Sequence, residues 1–138
     1  MRVLLVSDLH YDLRKLDWLL SYVDDPATDV DVVVVAGDLL DLASTVPLDT
    51  QITVVLAYLA RLANRVSTMV CSGNHDLDHR TASGEKATRW LAEARSHGVH
   101  VDGDSFDRDG WRLTACAWWE GPETLAALGS PAGRGRAR

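Results

Sequence analysis

Three short clusters in this chain combine carboxylate, amide and imidazole side chains. They are Asp8-Leu9-His10, Gly37-Asp38-Leu39-Leu40-Asp41 and Gly73-Asn74-His75-Asp76. Oxygen donors mixed with imidazole nitrogen suit borderline or hard divalent ions such as manganese, iron or zinc, with cobalt and nickel as further options. No cysteine stands among them, which argues against a structural zinc site. Two ions about 3.5 to 4 Å apart can clamp the attacking and leaving oxygens of a phosphate ester. One carboxylate must bridge such a pair, and Asp38 is the natural candidate. Gly37 and Gly73 relieve crowding where the backbone turns beside the ions.

The elements that must position these clusters are legible from periodicity. Arg2 to Ser7, Asp31 to Ala36 and Ser67 to Ser72 are short β-branched and leucine runs. Continuous apolar runs of that length predict strands of a parallel sheet, buried on both faces. Asp12 to Val23 and Thr50 to Val66 carry apolar residues at spacings of three and four, which predicts amphipathic helices. A third helix is expected over Glu85 to Ser96, with Ala87, Trp90, Leu91 and Ala94 inward and Gly98 just past its end. Alternating strands and helices call for a parallel sheet with right-handed crossovers. The C-terminal ends of all three strands then share one edge, where open α/β sheets build their sites. Each cluster directly follows a strand, so the three converge.

Beyond Gly98 the pattern changes. Val99 to Val101 is expected as a short strand. Ser105 to Asp107 and Trp111 to Ala117 are expected as a hairpin turning at Asp109-Gly110. Gly121 to Leu128 is expected as a short helix, and Gly129 to Arg138 as a disordered Gly/Ala/Arg tail.

In type, order and separation, the three clusters resemble the DxH, GDxxD and GNHD/E blocks of the calcineurin-like metallophosphoesterase family. The resemblance implies the first half of an α/β/β/α sandwich: an α/β fold, mostly parallel sheet flanked by helices. It covers residues 1–128 as a partial domain, leaving 129–138 as the tail. It implies hydrolysis of a phosphomonoester or phosphodiester by water activated between two divalent ions, with manganese, iron or zinc foremost. Asp8 and His10 would bind the first ion, Asp38 would bridge, and Asn74 would bind the second. His75 would contact the phosphate and protonate the leaving oxygen, and Asp41 would hold that histidine in orientation.

The family pattern continues with an isolated histidine and a GHxH block, and neither occurs here. His97-Gly98-Val99-His100 lacks the preceding glycine and falls at a helix–strand junction. Trp118-Trp119-Glu120-Gly121-Pro122 resembles a segment that precedes the missing half in some bacterial members. The expectation is therefore a truncated or frameshifted chain with an incomplete second metal site. The alternative is a non-catalytic metal-binding fragment or interaction module. A half-sandwich would leave sheet surface uncovered, so self-association is expected.

Other residues receive plainer readings. Asp76 is read as a local hydrogen-bonding residue, His79 as an exposed loop residue, and His97 and His100 as helix-end and strand positions. Trp90, Trp111, Trp118 and Trp119 are read as packing residues. Arg134, Arg136 and Arg138 are read as a solvated tail.

Composition sets outer bounds. The chain has 138 residues, 46% of them hydrophobic and 25% charged, which fits one soluble globular domain. That length can bury roughly 70% of the unfolded surface. No apolar run approaches the ~20 residues of a membrane helix, and the four-residue apolar start is too short for a secretory signal. A cytoplasmic location is expected. Cys71 and Cys116 form no CxxC pair and are expected as free thiols. The net charge of -6 makes the chain a poor non-specific binder of nucleic acid, leaving a phosphodiester substrate as its one nucleic-acid role. No G-x-G-x-x-G follows any strand, which ranks a nucleotide-binding domain low.

Overall fold

The computed structural model of the chain describes residues 1–84 and 86–118. The chain runs through β1 (Val3–Val6), α1 (Leu13–Asp24), β2 (Val32–Ala36), α2 (Leu48–Ala63) and β3 (Ser67–Cys71). These build a parallel sheet in the order β1-β2-β3. The register places Val3, Leu4, Leu5 and Val6 beside Val32, Val33, Val34 and Val35. Val33, Val35 and Val70 join a core with Leu16, Leu19 and Leu20 of α1 and Val55, Leu59 and Leu62 of α2. The valine run of β2 thus has the burial expected of a central strand, with Val32, Val33 and Val35 fully enclosed. This is the expected α/β arrangement, a parallel sheet flanked by helices.

Local signals explain the helix ends. The Asp12 carboxylate caps α1 by accepting from the Arg14 N–H. Pro47 precedes α2, which begins at Leu48, two residues before the expected start, and ends at Ala63.

The third helix differs from expectation. Residues His79–Arg80 (β4) and Lys86–Ala87 (β5) pair as a small antiparallel ribbon. Only Trp90–His97 is helical, and it is a 3-10 helix. Trp90, Leu91 and Ala94 are buried as the periodicity demands, but the Trp90 indole N–H donates to the Asp76 carbonyl. That long-range bond pins the helix start. Gly98 ends the helix with φ +82°, as its expected place just past the end requires.

Val99 to Val101 forms a single bridge rather than a strand. The His100 backbone donates to Thr68 O and accepts from Val70 N. This covers the outer edge of β3, while among the described residues nothing pairs with the outer edge of β1. The hairpin is β6 (Ser105–Arg108) and β7 (Trp111–Thr114), turned at Asp109 (φ +50°) and Gly110 (φ +81°). Two consecutive positive-φ residues match a two-residue turn of the mirror-image type. The second strand ends at Thr114, short of the expected Ala117.

Val3 and Leu5, on the sheet face away from the helices, are exposed. Trp111 and Trp118 are also exposed at 68% and 46%, whereas Trp90 is buried as expected. No helix among the described residues is long and apolar enough to cross a membrane. The expected helix at Gly121 to Leu128, the tail and Trp119 lie outside the described residues.

Candidate metal centre

The site is three loops laced together at the C-terminal strand edge. The loop after β1 hangs on the loop after β2: Asp8, His10 and Tyr11 donate their backbone N–H groups to the carbonyls of Gly37, Asp38 and Leu39. The second loop is fastened to the third by Asp76, which is fully buried. One Asp76 carboxylate oxygen accepts from Leu39 N at 2.8 Å and Leu40 N at 3.0 Å. The other accepts from Gly73 N at 2.8 Å. Burial pushes the Asp76 carboxyl up, against the pull of those three N–H groups, and the Asp38 carboxylate adds to the rise. Asp76 therefore does far more than a local role: it spans 36 and 37 residues of sequence.

The close approach of two loops explains both glycines. A β-carbon on Gly73 would collide with the Asp38 carboxylate and backbone nitrogen, and one on Gly37 would lie 2.8 Å from the Gly73 α-carbon. Asp8, His10, Tyr11 and Asp38 all hold positive φ, between +47° and +56°. Such values are uncommon outside glycine, and strained backbone of this kind concentrates at functional sites.

The lacing brings His10, Asp38 and His75 together. One donor atom from each lies within 4.8 Å of the others. The His10 and His75 rings meet edge to face, 4.7 Å between centroids. Asp38 also accepts from the His75 backbone N–H at 3.0 Å. His75 Nδ1 is buried with no hydrogen-bond partner among the described residues. An orphaned imidazole nitrogen next to a second imidazole and a carboxylate fits a bound divalent cation well.

The remaining sequence candidates, Asp8, Asn74 and Asp41, have their own placements. Asp8 stands beside the trio without joining it, its carboxylate 3.7 Å from His10 Nε2 and 67% exposed. The Ser7 hydroxyl donates to its other oxygen. Asn74 is exposed at the start of a 3-10 turn, Asn74–Asp76. Asp41 makes no hydrogen bond to His75 among the described residues. Its carboxylate accepts from Ala43 N, and its backbone is clamped by Gln51, which accepts from Asp41 N and donates to the carbonyls of Asp41 and Val46. In this structure Asp41 shapes its own loop.

Two contributors were not recognisable from sequence. Gln51 is a buried polar residue on an otherwise apolar helix face. Lys15 donates its ammonium to the Asp8 carbonyl at 2.8 Å, an interaction between residues that no motif joins. The decoy histidines stay apart from the site: His97 ends the 3-10 helix, and the His100 ring stacks on Phe106 at 4.5 Å.

No curated protein matches the chain. The calcineurin-like phosphoesterase family model matches residues 1–116, which takes in all three laced loops. With a match over most of its length and a parallel sheet carrying the site at its C-terminal edge, this chain belongs to the calcineurin-like phosphoesterase family.

Proposed function

We propose that the chain is a metal-dependent hydrolase of phosphomonoesters or phosphodiesters, using two divalent ions in a cytoplasmic setting. The observation that carries this reading is the convergence of His10, Asp38 and His75 within 4.8 Å on loops that lock one another in place. His10 and Asp38 would hold the ions, joined by Asp8 on one side and Asn74 on the other. When bound, such ions supply positive charge to the phosphate and lower the pKa of a water molecule toward neutrality.

The chain's own residues then have separable tasks. Asp38 is held by the His75 N–H, and Gly73 leaves room for its carboxylate. His75 donates a proton to the leaving oxygen, the assignment its place in the motif supports. A second possibility, His75 as a ligand, draws on its proximity to His10 and Asp38. The test is hydrolysis of an aryl phosphate and an aryl phosphodiester with manganese, with chelator, and in the Asp38→Ala and His75→Gln variants. Chelator and Asp38→Ala should abolish turnover. His75→Gln should lower kcat while leaving manganese affinity intact; loss of affinity instead would make His75 a ligand. Turnover indifferent to chelator and to Asp38→Ala would refute the proposal.

The non-catalytic alternative, a metal-binding module, draws on the placement of His97 and His100 outside the cluster. Calorimetric titration with manganese separates the two. Two tight ions favour the hydrolase, and one weak ion favours a metal-binding module.

A further inference from the structure

The segment that follows the hairpin returns to the stem of the third cluster. Ala115 is fully buried, with its N–H donating to the Asp104 carbonyl and its own carbonyl accepting from Gly103. Three residues on, the Trp118 N–H donates to the Ser72 hydroxyl at 3.0 Å. Ser72 is held a second time, because its own N–H donates to the Asp102 carboxylate at 2.8 Å. The returning segment is thus fastened to the residue that links β3 to Gly73.

Both cysteines of the chain stand at this junction. Cys71 is the last residue of β3, and Cys116 lies between Ala115 and Trp118. Both are half-buried thiols. The Cys71 sulfur accepts from the Cys116 backbone N–H, so it rests against the residue that carries the other sulfur. A disulfide needs α-carbons about 4.4–6.8 Å apart, and a sulfur bonded to its partner's backbone nitrogen is an approach of that scale. Burial pushes the Cys71 thiol up, the Cys116 N–H draws it back, and negative charge on Asp102 and on Cys116 adds to the rise. The two thiols are therefore near enough for the charge of one to act on the other. Neither belongs to the cluster of His10, Asp38 and His75.

We propose that Cys71 and Cys116 are a modification site, forming a reversible disulfide that ties the strand carrying the third cluster to the segment after the hairpin. The oxidant class is a small disulfide such as oxidised glutathione. One protein thiol loses its proton, attacks that disulfide and expels one glutathione thiolate. The second protein thiol, also deprotonated, attacks the protein sulfur of the mixed disulfide and expels the other. The two released protons pass to the two glutathione thiolates. Two protein sulfurs are thereby oxidised, and one small disulfide is reduced to two thiols. The reacting form is the thiolate and burial keeps Cys71 protonated, so closure speeds up as pH rises above neutral. The bridge restricts the unfolded chain from β3 to beyond the hairpin, which stabilises the fold. This inference is independent of the phosphoesterase reading, because it needs neither metal nor turnover.

In the experiment, the full chain is reduced, freed of reductant and incubated with oxidised glutathione at mildly alkaline pH. Remaining thiols are counted with a maleimide after denaturation, and peptide mass spectrometry without reductant locates the bonds formed. Both thiols should disappear together, leaving a monomer in which the peptides holding Cys71 and Cys116 are joined. The thermal unfolding midpoint should rise by about 5–15 °C and return on adding dithiothreitol. Cys116→Ser, treated in the same way, should show no rise. Glutathione retained on either cysteine of the parent chain, bonds between two copies, or two thiols that survive the treatment would overturn the proposal. So would a bridged chain that melts below the reduced one, or a rise in midpoint that persists in Cys116→Ser. The joined peptide is read in the parent chain, so the proposal stays open to refutation even where the variant does not fold.

Discussion

Replacing Asp76 with alanine tests whether one buried carboxylate holds the site together. The side chain is 0% exposed, and its two oxygens accept from three backbone N–H groups, of which those of Leu39 and Leu40 belong to fully buried residues. Alanine leaves all three donors without a partner and with little access to water. At about 1–3 kcal/mol for each orphaned buried donor, the gross cost is about 3–9 kcal/mol. Removing a charge that burial disfavours returns part of this, so a net loss of about 3–5 kcal/mol is expected. Typical domains hold only about 5–15 kcal/mol in total. Urea denaturation followed by far-ultraviolet circular dichroism measures the loss. Asp76→Asn is the informative companion. Its amide oxygen can still serve Leu39 and Leu40, while its amino group meets the Gly73 N–H donor to donor, for a loss of about 1–3 kcal/mol. Alanine should therefore be the worse substitution. An alanine variant as stable as the parent, or more stable than the asparagine variant, would refute the reasoning: it would mean that burying the charge costs more than three hydrogen bonds return.

Three further outcomes follow from the same structure. Gly73→Ala should lose manganese affinity in calorimetry and cost about 1–3 kcal/mol in stability, because its methyl group occupies the space of the Asp38 carboxylate. Burial pushes the Asp104 carboxyl up, but the Arg95 guanidinium and the Val101 N–H together hold it below its ordinary value of 3.8. Its contribution is therefore present above pH 3.8 and fades as pH falls through the lower folded value; Asp104→Asn should flatten that acid limb by less than about 1 kcal/mol, since the pair is screened by water. Leu5, 66% exposed on β1, whose outer edge nothing pairs with among the described residues, should drive self-association; Leu5→Lys should shift sizing chromatography toward monomer, and a parent chain that is already monomeric at high concentration would contradict this.

Much of the framework was open to reading because it depends on neighbours in sequence. Four consecutive valines demand a strand enclosed on both faces, and β2 is one. Asp109-Gly110 demands a tight turn, and both residues take the left-handed conformation there. Where a segment answers to distant groups, the local pattern does not decide its form. The Ala87 to Ala94 periodicity was real, yet the ribbon takes the first part of the segment and Trp90–His97, held at its start by the Trp90 bond to Asp76, is helical as 3-10. Asp41 is likewise held by partners that no motif joins to it, Gln51 and Ala43.

By itself, then, the amino-acid order settled which residues end each strand, and so that Asp8, His10, Asp38, Asn74 and His75 gather at one edge; β periodicity and crossover handedness are local and leave little choice. Only the tertiary structure decided which of them come within reach of one another. His10, Asp38 and His75 meet because Asp76 and a pair of glycines press two loops together across nearly forty residues, while Asp8 stands a step outside. Such distances depend on long-range bonds and close packing, which no local pattern of residues encodes.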